Sequence, residues 1–249
     1  MTGQKAILLL LLIPFFFACH NQVAETTQIC VLIDVTDERF QDEHFVAENV
    51  PKFLKLMNLD RNTGGYSGGE IKLSLINEIS DSKSKTIKIA TGKTGMMGEN
   101  PLNRKDDVEK FSAELESSFT EIMKETNWGT NASKIYQKVT REIIKMKKSG
   151  IERKYLIIYS DMLENSELFS FYGANWKSNI QKLAENPEST LQKLSTNGPV
   201  LPDLSEFEIF VITTRTAEND EKINLSEQLW MNLFEYQGAT VSFNSVLEI

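Results

Sequence analysis

The sequence has little of what most metal and redox chemistry needs. Its 249 residues hold two histidines, His20 and His44, and two cysteines, Cys19 and Cys30. That argues against a multi-histidine or four-cysteine zinc site and against a disulfide framework. An excess of positive charge is also missing. Lys and Arg number 27 against 35 Asp and Glu, a net charge of −8, which speaks against a nucleic-acid backbone as the main partner. Neither histidine, His20 beside the N-terminal run nor His44 in the first helical pattern, is placed to serve a Ser-His-Asp triad. The longest apolar run, Ala6 to Phe17, is twelve residues with Pro14 inside it. As a helix it reaches about 18 Å, short of a hydrocarbon core of about 30 Å.

What is present is ordinary for a folded protein: 41% hydrophobic and 25% charged residues. The length suits a single α/β domain. The N-terminal run follows Lys5 and has the form of a secretory signal. It ends in Phe16-Phe17-Ala18-Cys19, which resembles a bacterial lipobox, with Phe16 where Leu is usual. The resemblance implies a signal peptide over 1–18, lipidation of Cys19, a polar tether over 19–26 and one domain over 27–249. The chain is then an extracytoplasmic lipoprotein of a bacterial cell envelope, tied to the membrane through its N-terminal lipid. The alternative is an ordinary signal peptide with an unrelated cysteine. Cys30 lies in an apolar run and reads as a buried, inert thiol.

The body alternates strand and helix patterns. Residues 29–33, 154–159 and 207–213 are continuous apolar runs of the kind found in parallel strands buried on both faces. Residues 71–79 and 86–90 read as a hairpin or neighbouring pair, and 239–246 as an edge strand. Helical spacing covers 40–59, 106–126, 130–148, 179–194 and 225–236, with Pro51 and Pro187 as possible breaks. The glycine-rich loop 61–69 lacks a Gly-Lys-Ser/Thr ending and precedes a strand, so it is not read as a phosphate cradle. The predicted architecture is α/β: a three-layer, open, mostly parallel sheet with helices on both faces, of a Rossmann-like kind.

In such sheets, ligands bind outside the carboxyl ends of the strands. Three loops there carry oxygen-bearing side chains: Asp34-Val35-Thr36-Asp37-Glu38, Trp128 to Ser133, and Ser160 to Ser166. Their arrangement resembles the von Willebrand factor A (vWA) domain and its metal-ion-dependent adhesion site. The resemblance implies Asp34 as the first acid, Thr36 as the first hydroxyl, Thr130 as the second-loop Thr and Asp161 as the third-loop Asp. Glu38 stands where the family has a second Ser: pointing inward, its negative charge weakens the pull of an ion on an acidic partner, and pointing outward, it leaves the site one ligand short. Mg²⁺ or Mn²⁺ is the expected ion, since both take oxygen ligands. The alternative is that Thr36, Thr130 and Asp161 are helix N-caps and no metal is bound.

Asp34-Val35-Thr36-Asp37 also invites comparison with haloacid-dehalogenase-type phosphatases, in which an Asp after the first strand attacks phosphate. Thr36 stands where their second Asp belongs, and no Lys and paired-Asp motif follows. An Mg²⁺-dependent phosphoryl-transfer enzyme is therefore the alternative function, and a metal-free structural envelope module a third. The preferred expectation is non-enzymatic binding or assembly with an envelope protein. Residues 169–176 gather aromatics just past Asp161, and Tyr172 and Trp176 are the candidate partner-binding residues.

Overall fold

The computed structural model describes residues 24–37, 40, 42, 44–77, 83–93, 98–124 and 133–249. The first strand, β1 (Thr26–Asp34), is buried at every position after Thr26. Such a strand needs apolar side chains on both faces, and the run Ile29-Cys30-Val31-Leu32-Ile33 supplies them. Ile29, Val31 and Ile33 enter one core, while Cys30 and Leu32 enter another on the opposite side of the sheet.

After β1 come α1 (His44–Leu56), the pair β2 (Gly68–Ile76) and β3 (Ser84–Ile89), and two helices, α2 (Pro101–Lys124) and α3 (Ile135–Lys147). Then follow β4 (Arg153–Tyr159), α4 (Trp176–Glu185), α5 (Pro187–Asn197), β5 (Phe207–Ile212), α6 (Asp220–Tyr236) and β6 (Thr240–Asn244). The sheet order is β3-β2-β1-β4-β5-β6. Every neighbouring pair is parallel except β2 with β3. Residues from α1 and α2 line one core; residues from α3, α4, α5 and α6 line the other. This is the expected three-layer α/β architecture, and the expected hairpin and edge strand are both present.

Boundaries shift where local signals compete. The pattern over 40–59 condenses to α1, and Pro51 sits inside that helix without dividing it. Pro51 is exposed and forgoes one intrahelical bond; the buried face of Phe45, Val50, Phe53 and Leu54 holds the helix regardless. Pro187 does divide its segment, opening α5 as the first helical residue, with Asn186 Oδ1 accepting from the Ser189 amide at 3.0 Å.

The glycine-rich loop serves strand pairing. Gly69 has φ +141°, and a Cβ there would lie 1.8 Å from the carbonyl oxygen of Thr27, so only glycine lets β2 approach β1 at this point. The loop is tied down by Arg104, a buried guanidinium on α2. It donates to the carbonyls of Gly65 at 2.6 Å, Ser67 at 2.5 Å and Ala90 at 2.9 Å.

Two features prepare the carboxyl end of the sheet. Strand order reverses direction between β1 and β4, which opens a crevice beyond Asp34 and Tyr159. Tyr159, the last residue of β4, turns its ring into the α1 core, 4.7 Å from the Phe45 ring, and its hydroxyl donates to Asn49 Oδ1 at 2.7 Å.

Candidate functional site

Asp34 closes β1 with a side chain that is fully buried. A buried carboxylate needs donors, since desolvation is otherwise severe. Oδ1 accepts from the Thr36 amide at 3.0 Å and the Thr36 hydroxyl at 2.8 Å. Oδ2 accepts from the hydroxyls of Ser160 at 2.7 Å and Ser133 at 3.0 Å. A carboxylate has about four acceptor positions, and these four donors fill them. Burial raises the Asp34 pKa, and the hydrogen bonds from Ser160, Thr36 and Ser133 pull against it.

One carboxylate thus joins three loops: the turn after β1, the segment before α3 and the turn after β4. A second acid reinforces the junction. Glu164 is fully buried, and its Oε2 accepts the Tyr136 amide at 2.8 Å in the first turn of α3. Burial pushes Glu164 up to about 8, with Asp34 acting the same way, while the Ser166 side chain and the Tyr136 and Ile135 amides oppose it. The turn between the two acids is strained. Met162 has φ +58°, rare for a side chain of this kind. It is held there by donors to its carbonyl from Ser226 at 2.8 Å and Trp230 Nε1 at 2.9 Å, while its own amide donates to Ser160 Oγ at 2.9 Å.

The structure brings Asp34 and Thr36 together and sets Asp161 beside Ser160. Asp161 is half-buried, and its Oδ1 accepts the Leu163 amide at 2.9 Å. Glu38, Thr130 and Cys19 lie outside the described residues. The capping alternative fails for two of its three positions. Among the described residues, the α-helix after β1 begins at His44 and the α-helix after β4 at Trp176, so Thr36 and Asp161 cap neither; both instead bind within their own turns. Ser133, Ser160, Glu164 and Met162 carry roles that residue types alone did not single out. A small hydroxyl directly after a buried strand, beside a strand ending in Asp, was the available signal for Ser160.

Tyr172 and Trp176 stand at the rim. Tyr172 is exposed, and desolvation pushes its phenol up to about 12, with Asp161 and then Asp34 adding, which places it in the field of both acids. Trp176 is half-buried at the start of α4, its ring 6.4 Å from that of Phe171. The Lys222 ammonium on α6 lies 4.4 Å from the Tyr172 ring centroid and 5.5 Å from that of Trp176.

The oxygens in this crevice are of the kind that Mg²⁺ or Mn²⁺ takes. Their arrangement does not fit an ion on Asp34, because its four acceptor positions already face protein donors. Among the described residues, no group of three or more His, Cys, Asp or Glu side chains is placed to hold a metal.

The chain matches no protein-family profile and no curated protein. Among solved structures it is similar to the human COPII-coat protein Sec24c, at 10% identity and a TM-score of 0.44, over 92% of this chain and 30% of that one. It is also similar to the open conformation of the pilus adhesin SpaC from Lactobacillus rhamnosus GG, at 13% identity and a TM-score of 0.39, over 89% of this chain and 28% of that one. The chain therefore spans less than a third of either protein.

Proposed function

We propose that this chain is a lipid-anchored envelope protein whose vWA-like domain binds another protein at the carboxyl end of its sheet, without a metal ion. The supporting observation is the pairing of a closed hub with an open rim. Asp34 is sealed and fully hydrogen-bonded, whereas Tyr172, Trp176 and Lys222 present aromatic and cationic surface beside the half-buried Asp161. Aromatic side chains with a polar edge are the groups that anchor protein interfaces. The signal-like N-terminus and Cys19 support the anchor, and no helix among the described residues is long and apolar enough to cross a membrane.

The same geometry supports binding over phosphoryl transfer. A nucleophilic Asp needs an oxygen that substrate can reach, and both oxygens of Asp34 are buried under two donors each. The direct test is a photo-crosslinking residue at Tyr172 or Trp176 in the full chain, expressed in a bacterial envelope. A single crosslinked partner, lost on Lys222→Glu and unaffected by EDTA, is the expected result. Crosslinking that requires Mg²⁺ would return the metal-dependent reading, and Mg²⁺-dependent phosphatase turnover abolished by Asp34→Ala would return the enzyme reading.

A further inference from the structure

At the opposite end of the sheet lies a cleft of about 360 Å³, a size within the range of small-ligand sites. One wall is the polar face of the β2–β3 pair, with Glu70, Lys72, Thr86 and Lys88; the other is the end of α3, with Glu142, Lys145 and Lys148. Four lysines and two glutamates make its lining cationic in a chain whose net charge is −8.

The lysines are ordered by a buried counter-ion that cannot neutralise them all. Glu142 is 1% exposed. Its Oε2 accepts from Lys72 at 2.5 Å, and its Oε1 faces Lys145 at 3.0 Å and Lys138 at 3.3 Å. One carboxylate therefore stands among three ammonium groups. Lys88 pairs with Glu70 at 2.8 Å, and Lys148 has no ion pair among the described residues. Like charges held this close repel unless an anion joins them.

The cleft also sits where the chain enters the fold. Gln28 and Ile29 in its floor lie two and three residues into β1, and the Gly68 amide at the start of β2 donates to the Glu25 carbonyl at 2.9 Å. The stretch from residue 19 to residue 26 spans at most about 25 Å when extended. A lipid on Cys19 thus keeps this end of the sheet near a membrane surface.

We infer that the lysine cleft binds a phosphate-bearing anion, the headgroup of an anionic phospholipid. The phosphate chemistry rests on the cleft alone; the lipid as its source rests on the lipid-anchor reading above. The test is calorimetric titration of the purified full chain with inorganic phosphate, glycerol 1-phosphate, dihexanoylphosphatidylglycerol and dihexanoylphosphatidylcholine. It is repeated on Lys88→Gln/Lys148→Gln, whose changes are confined to exposed side chains. Saturable binding of the glycerol phosphate and the phosphatidylglycerol, tighter for the lipid and weakened about tenfold in the variant at an unchanged melting temperature, is the expected result. Equal binding by glycerol 1-phosphate and phosphatidylglycerol keeps the cleft and overturns the lipid as source. No saturable binding, or equal affinity in the variant, overturns the cleft. Mass spectrometry of the chain from bacterial membranes reads Cys19 independently: an unmodified Cys19 removes the anchor and leaves the cleft's titration standing.

Discussion

Ser133 and Ser160, 27 positions apart in the chain, donate their hydroxyls to the same oxygen of Asp34, at 3.0 and 2.7 Å. Both serines are buried. The loop before α3 and the turn after β4 are therefore closed on each other through the final residue of β1.

Asp34→Ala is expected to cost about 3 kcal/mol, because it strands two buried hydroxyls and the Thr36 amide without an acceptor. Ser160→Ala should cost about 1–2 kcal/mol. Urea unfolding of both variants checks this. A loss below about 0.5 kcal/mol for Asp34→Ala, the range of ordinary surface changes, would falsify the hub.

Divalent ions are expected to leave the melting temperature of the full chain unchanged. An ion at a hundred times its dissociation constant adds about 2.7 kcal/mol when it binds only the folded state. Melts in EDTA, Mg²⁺ and Mn²⁺ are the measurement. A saturable rise in any of them that vanishes with Thr36→Ala would place an ion at the crevice after all.

Glu164 gives stability a pH dependence of defined sign. Its ordinary value is 4.5 and its folded value is about 8. Between those limits the folded state keeps a proton that the unfolded chain has lost, so stability falls as pH rises, by up to about 1.4 kcal/mol per unit, and levels off above about 8. Denaturant midpoints from pH 5 to 9 should show this decline, and Glu164→Gln should flatten it. An unaltered slope in Glu164→Gln assigns the proton to another group.

Glu142 acts in the opposite sense. Burial alone would raise its pKa, yet Lys72, Lys138 and Lys145 hold it below the usual value. Its contribution is present at neutral pH and is lost as pH falls through the folded value. Glu142→Gln is expected to cost about 3–5 kcal/mol, because it leaves Lys138, 5% exposed, without its buried counter-ion. Restoration of most of that loss by Lys138→Met in the same chain checks the cause.

Gly69→Ala is expected to destabilise by more than about 3 kcal/mol, since the added carbon collides with the Thr27 carbonyl and not with a movable side chain. Gly173→Ala is the control: φ is +102° there too, but the space around it is open, so its cost is conformational alone.

The fold was legible because β1, β4 and β5 are nearly pure apolar runs and the helices have clear faces. The half-buried edge pair was legible too, since Ile71, Leu73, Ile87 and Ile89 alternate with polar residues. The site was legible only in part. Asp34 and Thr36 bond to each other across two positions, but the donors that complete the hub are Ser133 and Ser160, which a motif of spaced residues does not reveal. Which hydroxyl reaches Asp34 depends on how β1 and β4 pair, Ile33 opposite Tyr159, and that register is a tertiary fact. The lysine cleft was invisible for the same reason: Lys72 and Lys145 are 73 positions apart and meet only at Glu142.

The end of β4 carries a mechanical consequence. Tyr159 is bonded to Asn49 on α1, and Ser160, one peptide link later, is bonded to Asp34. Tyr159 closes β4 and faces the α1 core, while Ser160 lies just past the strand and faces the end of β1. The two hydroxyls thus act as opposed pins on one short rod, and a slide of α1 along the sheet pulls on the crevice floor. Anything that grips the exposed side of α1 therefore has a two-bond lever on the loops at the carboxyl end of the sheet.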